Sequence, residues 1–166
     1  MHGELLAAGE SLLTINRPFN SNIPHLLYVF MVKQSASTGT YNEDPCYYQT
    51  NRLINYRVMI DGKLLTDQDV DTTNGAVSGY VNSLSAHNDS DNFIPHDVYT
   101  KGSFLLAIKT NHSQHKEISF TRKGNLSIHL KFAADMAVNQ IAYVVGKCHS
   151  TFEITADRNI ITNYSY

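Results

Sequence analysis

Apolar and polar side chains alternate with a period of two along much of this chain. In LSIHLKF, Leu126, Ile128, Leu130 and Phe132 fall on one face, with Ser127, His129 and Lys131 on the other. Successive strand side chains point to opposite faces, so the segment predicts a strand with one buried side. Lys123-Gly124-Asn125 supplies the turn that precedes it. Residues 53–60 (LINYRVMI) behave alike, with Ile54, Tyr56, Val58 and Ile60 sharing a face. Asp61-Gly62 follows, a pair suited to a type I′ hairpin because both central positions need positive φ, and Leu64 and Leu65 begin the returning strand. Residues 26–32 (LLYVFMV), 104–108 (FLLAI) and 141–145 (IAYVV) are apolar on both faces. Strands of that kind are covered on both sides, and in a two-sheet sandwich the second cover comes from a loop, a helix or another subunit. Shorter strands are predicted at residues 12–15, 151–155 and 159–162.

Helical signals are few. Residues 74–84 (NGAVSGYVNSL) place Val77, Tyr80, Val81 and Leu84 at spacings of three and four, the packed face of a turn or two of helix. Gly75 and Gly79 weaken it, by about 1 kcal/mol each. Residues 94–99 (IPHDVY) predict a single turn with Pro95 near its start. Between them lies a polar loop, HNDSDN. No long repeat and no linker divides the chain. Many short strands joined by turn chemistry predict an all-β sandwich with one or two short helices in its loops.

Composition narrows the possibilities. A chain of 166 residues fits one domain, and a domain of that size buries about 70 % of its unfolded surface. With 42 % hydrophobic and 17 % charged residues the mixture is globular. A formal net charge of -2 and the lack of a basic run argue against wrapping nucleic acid. MHGELLAAGESLL has neither the basic start nor the apolar length of a signal peptide, and no stretch is long enough to cross a bilayer as a helix. The sequence therefore reads as soluble, made on cytosolic ribosomes. The N-x-S sequons at Asn88, Asn111, Asn125 and Asn163 then read as products of an Asn- and Ser-rich composition. Cys46 and Cys148 lie far apart and outside any C-x-x-C spacing, which predicts two reduced cysteines packed in the interior.

Candidate chemistry is sparse. His112 and His115 stand in a polar stretch with no further ligands at zinc-site spacing, and His129 and His149 read as hydrogen-bonded residues. Asp89, Ser90 and Asp91 offer oxygens but lack the glycine and distal glutamate of a calcium loop. Asp67, Asp69 and Asp71 alternate in a segment that reads as a solvated acidic turn. The serine of Gly75-Ala76-Val77-Ser78-Gly79 is one place off a nucleophile elbow. These residues predict no enzyme, no metal site and no cofactor. Tyr41, Tyr47 and Tyr48 cluster in a Pro-containing segment after a long strand; exposed, they would stack on sugars or bases, and the plainer expectation is rings packed over an edge or end of the sandwich.

The last third carries a family likeness. KGNLSIHLKFA, then AVNQIAYVVGKCHSTFEITADRNIITNY, resembles the C-terminal end of the hexon-like major capsid proteins of Polinton (Maverick) elements and adintoviruses. The matching residues are Gly124, Asn125, Leu126, Phe132, Val138, Asn139, Ile141, Tyr143, Glu153, Ile154, Arg158 and Asn159. Upstream, Pro24, Ser35, Ala36, Gly39 and Tyr41 are similar to a P-x-R strand and an A-x-x-G-x-Y segment of the family, and Asp44-Pro45 with Tyr47 to its N-P-F. Residues 52–62 are similar to a strand ending in a V-N/D-G turn, residues 74–84 to a helical segment, and Asp97, Tyr99 and Gly102 keep part of an S-R-E-D-F-x-N-G-Y-x-L stretch. The likeness spans residues 12–164 as short, ordered matches. Cys46 and His25 depart from it, standing where the family has an aromatic or aliphatic residue and an arginine.

The resemblance implies a jelly-roll β-sandwich of two antiparallel sheets and an architectural function. Family members carry two jelly rolls in one chain, and this sequence resembles the second, which implies the C-terminal half of a longer protein. It implies a structural subunit of a virion, assembled inside the host cell, nucleus or cytoplasm, from trimeric pseudo-hexagonal capsomers. Partners would be an adjoining jelly roll and neighbouring capsid subunits, with no direct nucleic acid and no membrane. Contacts would then come from the loops holding Tyr41, Tyr47, Tyr48, Asp67, Asp69, Asp71, Asp89 and Asp91. Jelly rolls host other uses, so two alternatives stand beside it: a binding module for carbohydrate or a receptor, and a single jelly-roll minor capsid protein.

Overall fold

The computed structural model describes residues 1–72, 75–86, 94–110, 122–148, 152–155, 157–158 and 160–162. The strands are β1 (His2–Leu6), β2 (Leu12–Asn16), β3 (Asn22–Ile23), β4 (Leu26–Lys33), β5 (Leu53–Ile60), β6 (Lys63–Asp69), β7 (Leu106–Lys109), β8 (Arg122–Lys123), β9 (Leu126–Phe132), β10 (Gln140–Lys147), β11 (Phe152–Ile154) and β12 (Ile160–Thr162). Three helical segments interrupt them: α1 (Gln34–Ser37), α2 (Val77–Ala86) and α3 (His96–Gly102).

Two four-stranded sheets form the body, in the orders β1-β10-β4-β7 and β2-β9-β5-β6. All of their pairings are antiparallel. Taking the eight body strands in chain order, first pairs with last, second with seventh, third with sixth and fourth with fifth. That nesting is a long antiparallel ribbon wrapped into a sandwich, the jelly-roll topology. The short β3–β8 pair continues the ribbon between the two sheets, and β11 and β12 form a separate hairpin.

Alternation builds the core. Leu126, Ile128, Leu130 and Phe132 on β9 meet Leu27, Val29 and Met31 on β4 and Ala142 and Val144 on β10 in one buried cluster. The β5–β6 hairpin closes as expected, with Asp61 at φ 51° and Gly62 at φ 75°. Its turn is held against the entry to β9. The Asn125 N–H donates to Asp61 Oδ1 at 2.8 Å, and the Asp61 N–H donates to the Asn125 carbonyl at 2.9 Å. Gly124 sits so close that an added Cβ would lie 2.6 Å from Asp61 Oδ2 and 2.9 Å from Ile23 Cδ1. Any larger residue there would have to push those side-chain ends aside.

Several expectations change. Ile54 was assigned the buried face of β5, but the register shifts between Leu53 and Asn55, so Leu53 is buried and Ile54 only half-buried. One extra residue in a strand reverses every face before it. The strand β1 has no counterpart in the sequence reading, because HGELL shows no clean alternation; its pairing with β10 makes it a strand. Cys46 and Cys148 are exposed rather than packed inside. The doubly apolar strands of the first sheet are covered from within the chain. Tyr48 lies on Phe30, α1 packs on β4 and β10, and α2 packs along β7.

Helix α2 is longer than a turn or two, and of its spaced apolar residues Tyr80 packs against the core. Val77 and Val81 are exposed, whereas Gly79 is buried. The contact centres on small residues because α2 replaces a strand along the β7 edge. Ser83 Oγ donates to the Leu105 carbonyl at 2.8 Å and accepts from the Ala107 N–H at 3.2 Å. Lys109 Nζ donates to the Ser85 carbonyl at 2.6 Å. The two Ser83 bonds occupy main-chain groups that an edge strand otherwise leaves open. Beneath, Tyr99 is buried against Phe104 and Tyr80, its hydroxyl donating to the Leu105 carbonyl at 3.1 Å. Burial pushes the Tyr99 phenol up to about 12.

A Cβ on Gly79 would lie 3.2 Å from Val70 Cγ1 and 3.3 Å from the Tyr99 hydroxyl, both on residues almost fully buried. Gly79→Ala is therefore expected to destabilise the protein by about 1–2 kcal/mol through overpacking, although alanine favours a helix by about 1 kcal/mol. Thermal melting checks it; a variant that melts at or above the parent temperature means Val70 and Tyr99 yield.

Candidate interaction surfaces

The tyrosine-bearing connection, residues 38–52, leaves β4 through α1 and crosses the outer face of the first sheet before entering β5. Lys33 Nζ donates to Glu43 Oε1 at 3.3 Å, and the Ser35 hydroxyl donates to Glu43 Oε2. The Ser35 hydrogen bond, then Lys33, hold the Glu43 carboxyl below its ordinary value. Further on, the Tyr48 N–H donates to the Gly102 carbonyl at 2.7 Å, and the Phe104 N–H donates to the Tyr48 carbonyl at 3.2 Å. The ring of Tyr48 then lies 4.5 Å from that of Phe30, whose other neighbour, Tyr143, lies at 5.5 Å. Tyr143 and Ser37 share a hydroxyl hydrogen bond of 2.5 Å.

The three tyrosines thus divide. Tyr48 is half-buried packing, on the outer face of a sheet rather than at the expected edge or end of the sandwich, and burial raises its phenol pKa. Tyr47 is 47 % exposed and its ring lies against Gly102, where φ is 151° and a Cβ would collide with it. Tyr41 is 99 % exposed and covers nothing.

The acidic segment is not a turn. Asp67 and Asp69 lie on β6, Val70 beyond them is buried, and the Asp71 carbonyl accepts from the Ala76 N–H at 2.7 Å. On the outer face of the second sheet, Asn55 Nδ2 donates to Asp67 Oδ1 at 2.8 Å and to Asp69 Oδ1 at 3.0 Å. Arg57 donates to Asp67 Oδ2 through Nε at 3.0 Å and Nη2 at 2.7 Å. His129 pairs in register with Arg57 on one side and Thr14 on the other, and its Nδ1 shares a 3.1 Å hydrogen bond with Thr14 Oγ1. A polar band therefore crosses all four strands: Thr14, His129, Arg57, Asp67. Hydrogen bonding from Asn55, then from Arg57, holds the Asp67 carboxyl below the usual carboxylate range. Its oxygens are already engaged by side chains of its own sheet, and His129 is hydrogen-bonded as expected.

Asp89, Asp91, His112, His115 and His149 lie outside the described residues. Among the described residues no three His, Cys, Asp or Glu side chains are grouped so as to hold a metal ion, and no helix is long and apolar enough to cross a membrane. The sequence reading missed the exposed apolar side chains. Leu5 and Leu12 stand on β1 and β2, and Val77 and Val81 on α2 lie in the same connection as Ile94 and as Val98 on α3. Helical spacing set the α2 valines in a row with Tyr80 and Leu84; which side of a helix is covered depends on what it packs against.

No protein-family model matches the chain, and no curated protein matches it.

Two outcomes follow from this geometry. Tyr48→Ala uncovers Phe30 and is expected to lower stability by about 1–3 kcal/mol, whereas Tyr41→Ala stays within about 0.5 kcal/mol of the parent; denaturant titration separates them. Because the folded-state pKa of Asp67 is depressed, its stabilising contribution is present above its unfolded value and disappears as pH falls through the folded one. Asp67→Asn is expected to lower the melting temperature near neutral pH by about 1–3 °C, and the two melting curves should converge in acid.

Proposed function

We propose that this chain is a structural subunit of a virus-type protein shell, a hexon-like jelly roll that works by packing against other subunits. The observation that carries the reading is where the residues of the family likeness act. Asp61 of the V-N/D-G turn and Gly124-Asn125 of the G-N-L strand lock each other through one hydrogen bond to the Asp61 carboxylate, one between main chains, and the close approach of that carboxylate to Gly124. Asn139 joins two other parts of the chain, its Oδ1 accepting from the Ala8 N–H at 2.9 Å and its Nδ2 donating to Gln34 Oε1 at 2.8 Å. Tyr143 holds the outer layer through Phe30 and Ser37. Motif residues spent on joining strands and turns suit a protein whose product is its own shape. The jelly roll is also a recurrent architecture of capsid subunits, though a fold by itself does not give a function.

In this reading two sandwiches stand side by side, perpendicular to the shell, and three such pairs close a pseudo-hexagonal capsomer. The exposed Val77, Val81, Ile94 and Val98 then face neighbouring subunits. The purified chain is expected to sediment as trimers or larger assemblies, with ring-like or sheet-like particles in electron micrographs. A well-behaved monomer at high concentration overturns the proposal.

The exposed ring of Tyr41, with the half-exposed Tyr47 in the same connection, favours a second reading: a sandwich that binds carbohydrate through ring stacking. Glycan binding that disappears in Tyr41→Ala or Tyr47→Ala, in a protein that stays monomeric, would favour that module over the shell.

A further inference from the structure

The four edge strands of the sandwich are not treated alike. The β7 edge is occupied by Ser83 and the length of α2. The β6 edge carries Lys63, Asp67 and Asp69, and its pairing with β5 is broken by a bulge at Val58/Met59. The β1 strand contains Gly3 and Glu4. The β2 strand, LLTIN, has no charge, no proline, no glycine and no bulge in its pairing. Charges, bulges and coverings are the devices that keep sheet edges from pairing; among the described residues β2 has none of them.

The main-chain groups it offers follow from the ladder. The Arg17 N–H donates to the Leu126 carbonyl at 2.8 Å, and the Phe132 N–H donates to the Ser11 carbonyl at 2.9 Å. In an antiparallel pair such bonds recur at every second residue, so Leu13 and Ile15 continue them toward β9. Leu12, Thr14 and Asn16 turn their N–H and C=O groups the other way, and among the described residues no strand pairs with that side. The side chains of the same three residues are exposed, Leu12 by 66 %.

We infer that the β2 edge is a self-pairing site, whose occupant is the β2 strand of a second copy of this chain. A twofold axis at Thr14 sets Thr14 against Thr14 of the second copy and Leu12 against Asn16, so that each donor meets an acceptor on both sides. Charge complementarity selects this antiparallel register. Exposed Glu10 precedes the strand and exposed Arg17 follows it, so the twofold brings Glu10 of each copy to the end that carries Arg17 of the other. Parallel pairing would set Arg17 beside Arg17. Facing threonines are a favourable cross-strand pair. The product is one continuous eight-stranded sheet, with the band Thr14, His129, Arg57, Asp67 running across both copies. This goes beyond the shell reading and stands without it.

Charge reversal at the axis tests it. Thr14→Lys and Thr14→Glu each place like charges directly opposite one another across the twofold while leaving the odd-numbered ladder to β9 intact. Wild type is expected to sediment with doubled mass, or a multiple of it, where each variant loses that pairing step with its circular dichroism and melting curve preserved. An equimolar mixture of the two variants should regain it. In wild type, hydrogen exchange at the amides of Leu12, Thr14 and Asn16 should slow about tenfold on association, a readout that needs no variant. Association unchanged in both variants, a mixture that does not recombine, or the three amides already slow in a monomer (an edge covered by the chain itself) overturns the inference. Trimers that survive Thr14→Lys remove the edge contact and leave the shell reading. Association confined to dimers and abolished by Thr14→Lys removes the shell reading and leaves the edge.

Discussion

The structure depends on the antiparallel pairing of β9 and β10 with strands from the other end of the chain. The β10 strand lies between β1 and β4, and β9 between β2 and β5. Each central strand therefore supplies main-chain hydrogen bonds on both sides and an inward row of apolar side chains: Leu126, Ile128, Leu130 and Phe132 from β9, Ala142 and Val144 from β10. Without those two strands the N-terminal strands have no partners and the core loses the middle of both walls. Pairings of such long sequence separation incur a large loop-closure entropy before any contact forms, so this topology belongs to the slow-folding class.

That wrapping also decides where the surfaces lie. Because the ribbon closes first strand on last, the flank carrying β1 and β2 ends in edges that no other described strand pairs with, while the long connections between β4 and β5 and between β6 and β7 dress the outer face and the opposite flank. The first becomes an aromatic layer of Tyr48, Phe30 and Tyr143. The second becomes α2 and α3 over Tyr99, Tyr80 and Phe104. The second sheet keeps its outer face polar, crossed by hydrogen bonds from Thr14 to Asp67. One face is thus finished by the chain's own rings and the other by its own charges, and the exposed apolar residues concentrate at edges and in the helical connection. Those edges and that helical connection are the surfaces the shell proposal would use.

Four residues that carry the proposed resemblance share a structural role. Asp61, Gly124, Asn125 and Asn139 are small or hydrogen-bonding residues at points where separate turns and strands touch. Such residues are constrained by the close packing and register of the turns and strands they join.

The sequence by itself determined what local physics determines. Side-chain alternation located β5 and β9, the need for positive φ at Asp61-Gly62 located the turn of the β5–β6 hairpin, and continuous apolar runs located β4 and β10. The choice of neighbour for each strand required the tertiary structure, because pairing joins residues that no local pattern links. So did the bulge that exchanges Ile54 for Leu53, since a shift of one residue is fixed by the partner strand. Tertiary packing also made HGELL a strand, left Cys46 and Cys148 exposed, and turned α2 by the close fit of Gly79 on Val70 and Tyr99. At the candidate surfaces the sequence supplied the residue types, and the fold sorted them. Tyr48 became packing and Tyr41 surface, and Asp67 became a partner of Arg57. Exposure and hydrogen-bond partners belong to the space around a side chain, which neighbours in sequence do not set.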